Sequence, residues 1–179
     1  MSTATVLLDA TGIKRAITRM AHEIIEHHRG VEKLALIGIQ TRGVFIARRL
    51  RKEIEKIEGM EDKTLPCGEM DINLYRDDWT RISHQPIVKP TEIPFEVNDR
   101  DILLVDDVLY TGRTIRAAMD ALMDFGRPAR INLAVLVDRG HREFPIQPDY
   151  TGKKVENDYD QHVNVLLSEH DTFDQVTLD

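Results

Sequence analysis

A chain of 179 residues, 41% hydrophobic and 31% charged, fits one globular domain with a sizeable core. Its formal net charge of −7 argues against a protein that simply coats nucleic acid, and no apolar run reaches the roughly 18 residues of a membrane span. The single cysteine, Cys67, excludes an internal disulfide framework and agrees with a reducing cytoplasm, and Met1-Ser-Thr-Ala-Thr5 lacks the basic-then-apolar pattern of a secretion signal.

Residues 5–8 read as a short strand, with Asp9 as the N-cap of a helix. Ile13, Ile17, Met20, Ala21, Ile24 and Ile25 recur at helical spacing and predict that this helix is amphipathic and ends before Gly30. Residues 33–38 form a buried strand, 43–58 a second helix closed by Gly59, and 68–75 alternate like a strand. From Arg76 to about Asp101 the chain is polar, carries Pro86, Pro90 and Pro94 and shows no period, which predicts a mobile lid. Four apolar residues, 102–105, give a fully buried strand ended by Asp106 and Asp107. The turn 110–114 opens into a helix over 113–125, stopped by Gly126-Arg-Pro128. Residues 131–137 are another buried strand, 138–154 an irregular hairpin, and 162–167 and 172–178 late strands. Strands alternating with helices predict one α/β domain over 1–179, a mostly parallel twisted sheet with helices on both faces. Ligands of such sheets sit at the carboxyl ends of the strands, where the loaded turns after Ile37, Val105 and Val137 fall.

Charge is unevenly spread. Residues 155–179 hold seven acids and no Lys or Arg, which leaves 24 acids and 24 bases in the first 154 residues. Within that body Arg42, Arg48, Arg49, Arg51, Lys52 and Lys56 stand against Glu53 and Glu55, so the charge pattern leaves room for a local basic face and a polyanion partner.

The turn after 102–105 has a readable chemistry. Backbone N–H groups at a helix start, beside the hydroxyls of Thr111 and Thr114 and the cation of Arg113, make a pocket for a phosphate. Asp106 and Asp107 repel phosphate yet accept hydrogen bonds from sugar hydroxyls, so the pair of subsites suits a ribose 5-phosphate. A second loop, Gly38-Ile-Gln-Thr-Arg-Gly43, also ends at a helix start; an ordinary turn explains its glycines but not Arg42.

Residues 102–115, Ile-Leu-Leu-Val-Asp-Asp-Val-Leu-Tyr-Thr-Gly-Arg-Thr-Ile, resemble the signature of the type I phosphoribosyltransferases, which bind phosphoribosyl pyrophosphate (PRPP). The resemblance implies that Asp106 and Asp107 hold the ribose hydroxyls near a Mg²⁺ carried mainly by PRPP. It implies that Thr111, Gly112, Arg113 and Thr114 cradle the 5-phosphate, and that Thr41 and Arg42 bind the departing pyrophosphate in a loop that often has a non-proline cis peptide. Arg76 would join them when the lid, about 76–101, closes and excludes water. Together with 38–43, Leu74-Tyr-Arg-Asp-Asp78 and the 136–153 segment that begins Leu-Val-Asp-Arg-Gly-His-Arg, the chain closely resembles the PyrR family. That family joins uracil phosphoribosyltransferase activity to attenuation of pyrimidine operons. It implies uracil lying against Val137, Asp138 and Arg139 under a hood of about 138–155, with UMP as product. It also implies leader-RNA binding through Thr18, Arg19, His22, His141, Arg142 and Lys153, and a homodimer or higher assembly. Spacing supports part of that surface, because Arg15, Thr18, Arg19 and His22 share the polar side of one helix. Where the family carries Arg this chain has Gln147, and where it is rich in Pro, Thr and Ser residues 155–160 are acidic. These departures bear on the RNA surface and spare the catalytic loops. The competing readings are a uracil phosphoribosyltransferase without RNA regulation and a nucleic-acid-binding regulator that keeps the fold mainly as a UMP sensor. Ranked below both is a purine phosphoribosyltransferase, against which the Val-Asp-Arg-Gly-His-Arg segment weighs.

Overall fold

The computed structural model describes residues 4–61, 64–75 and 90–179. Its elements in chain order are β1 (Thr5–Asp9), α1 (Ala10–His28), β2 (Leu34–Ile39), α2 (Arg42–Ile57), β3 (Cys67–Met70), β4 (Asp101–Leu109), α3 (Arg113–Met123), β5 (Arg130–Asp138), β6 (Tyr150–Lys154), β7 (Val163–Leu166) and β8 (Gln175–Leu178). The apolar runs of β2, β4 and β5 form the middle of a five-stranded sheet, ordered β3-β2-β4-β5-β6 with every pairing parallel. Strands buried on both faces need cover on both, and the helices supply it. Ile13, Met20 and Ile24 of α1 and Ile46, Leu50 and Ile54 of α2 meet Leu36, Leu103, Val105 and Leu136 on one face. On the other, Ile115, Ala118 and Leu122 of α3 meet Ile37, Ile102, Leu104 and Val135. Each of the Ile, Leu, Val and Met side chains among them contributes about 1.5–3 kcal/mol on burial. Asp9 caps α1 as its position predicts, its Oδ1 accepting the Gly12 N–H at 2.7 Å.

Three stretches differ from the reading of the sequence. Over 68–75 only the first residues are strand; Asp71 Oδ1 accepts the Asn73 N–H at 2.9 Å and turns the chain into a 3₁₀ turn at Asn73–Tyr75. The central strand does not stop at the carboxylates but runs on to Leu109, with Asp106 opposite Val135 and Val108 opposite Val137. The expected hairpin over 138–154 is instead a crossover that delivers β6 parallel to β5. Asp149 turns the chain back to the amino end of β5, bonding Leu133 N–H with its Oδ2 and Leu133 O with its N–H, each at 2.8 Å. A separate antiparallel sheet, β1-β8-β7, is built from the two ends of the chain.

Residues 76–89 of the expected lid, with Arg76, lie outside the described residues. The rest of that stretch is fastened: Glu92 and Glu69 exchange two backbone bonds of 2.8 Å, and Val97 is buried in the core. The basic face for which the sequence leaves room on α2 has its arginines ion-paired, while Lys52 and Lys56 are exposed. Arg42 pairs with Asp171, Arg48 with Glu69 and Arg49 with Glu169 and Asp174, while Arg51 stands 3.9 Å from Glu55. Asp171, Glu169 and Asp174 of the C-terminal segment fold back onto Arg42 and Arg49.

Candidate active site

Because β2, β4 and β5 are parallel neighbours, their carboxyl ends share one edge of the sheet. Gly43 presses the turn after β2 onto β4. A Cβ at Gly43 would stand 2.5 Å from the Val105 carbonyl oxygen and 3.3 Å from Asp106 Oδ1. Gly38, near the end of β2, lets the first turn of α2 close onto that strand, since a Cβ there would meet the Val44 backbone at 2.5 Å. The two glycines therefore hold Thr41 and Arg42 beside the carboxylates. The Gln40–Thr41 peptide is cis.

The two carboxyls differ. Asp106 is buried, and burial, followed by the neighbouring Asp107, pushes its carboxyl well above the ordinary range. Its Oδ1 accepts the Asp107 N–H at 2.9 Å, and Asp107 Oδ1 accepts the Val108 N–H at 2.8 Å. A carboxyl that favours its neutral form can donate as well as accept, so the strand end offers both partners to a diol.

Beyond Leu109 the chain turns through Gly112, whose φ of 92° suits glycine, and enters α3 at Arg113. Thr111 Oγ1 accepts the Arg113 N–H at 3.3 Å, while the N–H groups of Thr114 and Ile115 have no intrahelical carbonyl to bond. The loop after β5 folds over this turn. Glu143 and Phe144 donate their N–H groups to Thr111 O at 2.8 and 3.2 Å, and Arg113 Nε donates to Glu143 Oε2 at 2.7 Å. Val137 is fully buried and pairs with Val108, and the buried Asp138 Oδ1 accepts from Gly140 N–H at 3.0 Å and Arg142 Nη2 at 2.7 Å. Arg139 lies 4.1 Å over the Tyr110 ring and donates through Nη2 to Gln161 O at 2.7 Å, but its buried Nε has no partner among the described residues. Thus the structure gathers Asp106, Asp107, Thr41, Arg42, the 111–114 turn and 137–139 on one edge.

The family model described as the phosphoribosyl transferase domain matches residues 3–170. The chain is 56% identical over 172 residues to the bifunctional protein PyrR of Acetivibrio thermocellus, covering 96% of this chain and 92% of that one. It is 53% identical over 176 residues to that of Halalkalibacterium halodurans, covering 97% and 96%. This chain belongs to the PyrR family. Two solved structures share the phosphoribosyltransferase fold with this PyrR-family chain. A hypoxanthine-guanine-xanthine phosphoribosyltransferase superposes at a TM-score of 0.66 with 21% identity, covering 96% and 91% of the two chains. A hypoxanthine-guanine phosphoribosyltransferase from Bacillus anthracis gives 0.71 with 14% identity, covering 99% and 98%.

The residues that the PyrR resemblance assigns to RNA are not all placed alike. Thr11, Lys14, Arg15, Thr18, Arg19 and His22 line a groove of about 590 Å³ along α1. Thr18 Oγ1 donates to Glu53 at 3.1 Å, and Arg19 donates to Glu23 and to the carbonyls of Thr151 and Gly152, which brings this face beside β6 and Lys153. His141 is elsewhere, against Tyr110 and Tyr159, its ring bonding Asn157 O at 2.8 Å. The Arg142 side chain is 14% exposed and spends its donors on Asp138, Tyr110 O, Gly140 O and Ile146 O. In this structure Arg142 organises the loop rather than presenting a cation. Asp171 and Gln161 reach Arg42 and Arg139 across more than 20 residues of chain, and no local spacing in the sequence signals such partners.

Proposed function

We propose that this chain is a uracil phosphoribosyltransferase, turning uracil and PRPP into UMP and pyrophosphate, and also a UMP-responsive regulator that binds pyrimidine-operon leader RNA. One observation carries the enzyme: Gly43 seats the Thr41–Arg42 loop directly against Asp106, and the 5-phosphate turn comes next on the same strand. In this reading the start of α3 and Thr111 to Thr114 hold the 5-phosphate, Asp106 and Asp107 orient the ribose hydroxyls, and Arg42 takes the pyrophosphate. Asp106 and Asp107 would stand beside a Mg²⁺ carried mainly by the substrate, their carboxyls being the hard oxygen ligands such a cation takes. When bound, Mg²⁺ neutralises charge that grows on the leaving pyrophosphate. Arg76 is assigned to the same group on sequence grounds alone. The unpartnered, buried Arg139 Nε beside Val137 and Asp138 supports the base site, since a uracil carbonyl oxygen satisfies it.

The regulatory reading rests on the α1 groove, where Lys14, Arg15, Arg19 and His22 stand together next to β6. Homo-oligomer formation belongs to the same proposal. It is supported by exposed Leu74, Tyr75, Met123 and Phe125, gathered where the Tyr75 hydroxyl bonds Asp124.

The test incubates the protein with PRPP, Mg²⁺ and each of uracil, orotate, hypoxanthine and guanine. UMP forming from uracil alone is expected; a purine nucleotide removes the assignment. Filter binding with the organism's own leader RNA, with and without UMP, reads the second role. Binding at low salt that UMP does not strengthen rejects it.

A further inference from the structure

We infer that Asp171, carried on the turn between β7 and β8, is a positioning residue for Arg42: it grips one edge of the guanidinium so that the opposite edge meets the pyrophosphate group. The inference rests on the proposed reaction.

Arg42 donates Nε–H to Asp171 Oδ2 at 3.0 Å and Nη2–H to Asp171 Oδ1 at 2.9 Å. That is a two-pronged, side-on pairing. It leaves Nη1, which has no partner among the described residues, and one hydrogen of Nη2 on the far edge. Two parallel N–H groups at that spacing match two oxygens of a phosphate. Arg42 sits in the loop that Gly43 presses against Asp106, and Asp107 is near enough to act on it electrostatically.

Asp171 is itself fixed. Its Oδ2 also accepts the N–H of the fully buried Leu167 at 2.9 Å, and its own N–H donates to Leu167 O at 2.6 Å. The whole turn is fastened to α2 by Arg49, which donates to Glu169 Oε1 at 2.8 Å and to Asp174 at 2.6 and 2.8 Å, and by the His170 ring stacked on Phe45. A lone arginine loses its rotamer freedom when the ligand binds; here that loss is incurred at folding. The small antiparallel sheet made from the chain ends thereby contributes to the pyrophosphate half of the site, with no residue of its own touching substrate.

The experiment compares wild type, Asp171→Asn, Arg42→Ala and the double variant, with initial rates at varied PRPP and at varied uracil. Asn keeps an acceptor for the Leu167 N–H but loses the charge and the second acceptor. The KM for PRPP is expected to rise roughly 10-fold in Asp171→Asn, with the KM for uracil within about two-fold, and with no further PRPP effect on the Arg42→Ala background. An unchanged PRPP KM, or the same loss with and without Arg42, overturns the inference. A fall in PRPP KM also overturns it, because the carboxylate would then be competing with pyrophosphate. If Asp171→Asn melts below the assay temperature, Asp171→Glu, which keeps the charge but moves it by one methylene, is expected to show the same selective rise, and equal KM values overturn the inference. A wild type that makes no UMP sinks the proposed reaction instead. Positioning is then read by equilibrium binding of Mg²⁺-pyrophosphate, expected weaker in Asp171→Asn; equal affinity rejects it.

Discussion

Asp106 and Asp107 are chemically identical in the sequence and different in the fold. Only Asp106 is buried, and burial together with its neighbour's charge raises its carboxyl well above the ordinary range. Between that ordinary range and the raised value, the folded chain keeps a proton that the unfolded chain has released, so stability falls as pH rises across the window. Above it the folded chain carries a buried charge and the penalty is complete. Asp106→Asn keeps an acceptor for the Asp107 N–H and removes the penalty. It is expected to raise Tm near neutral pH, by roughly 2–4 °C for each kcal/mol relieved, while lowering kcat/KM. Asp107→Asn is expected to lose turnover without that gain. Thermal melts and initial rates on both variants check this, and a lower Tm for Asp106→Asn contradicts the burial argument. The carboxylate pair was legible because it ends an apolar run; which member is buried was not, since burial depends on Gly43 arriving from another element.

Elements with local periods were read well, and pairings between distant segments were not. The apolar stripes of α1 and α2 and the runs of β4 and β5 each come from side-chain spacing. The crossover into β6 does not. Asp149 and Tyr150 give a turn and a strand, yet nothing nearby says that the strand lies parallel to β5 rather than folding back against it. The same distinction separates Gly43 as a turn residue from Gly43 as the contact between α2 and β4. Its Cβ would stand 2.5 Å from a backbone oxygen, closer than any side chain tolerates, so Gly43→Ala must push α2 off the strand. A destabilisation of about 1–3 kcal/mol is expected, with PRPP KM rising because the loop carrying Arg42 moves with the helix. Urea melts and PRPP titration measure the two effects; a variant with wild-type stability and KM rejects this role.

At the scale of the molecule, three acids near the end of the chain clamp two bases of α2, Arg42 and Arg49. The Arg49 guanidinium holds Asp174 at about 2, and draws Glu169 down as well, while Arg42 lowers Asp171. Carboxyls lowered in the folded state stabilise it fully above their ordinary values near 4 and progressively less as pH falls toward 2. Arg49→Gln removes the partner of two of them, so its urea midpoint is expected to drop less than that of wild type between pH 6 and pH 3. Equal drops mean the clamp adds nothing. Both blocks of charge are legible in the sequence, but their meeting across about 120 residues of chain is not, so the sequence alone leaves a basic face on α2 open.

With the arginines of α2 ion-paired and only Lys52 and Lys56 exposed there, the cations grouped along one groove to meet a polyanion are those of α1. Arg19 is a poor probe of them, because it also holds the β6 carbonyls, whereas Lys14, Arg15 and His22 are exposed on the groove. Replacing these three with Ala is expected to leave kcat and both KM values unchanged and to weaken leader-RNA binding. Each lost phosphate contact lowers the slope of log K against log salt by roughly 0.7 for a single strand, so the slope should shrink by about 1–2. Binding isotherms between low and moderate salt read that slope. RNA affinity and slope equal to wild type would move the RNA surface off α1, and a fall in turnover would deny the separation between groove and strand ends.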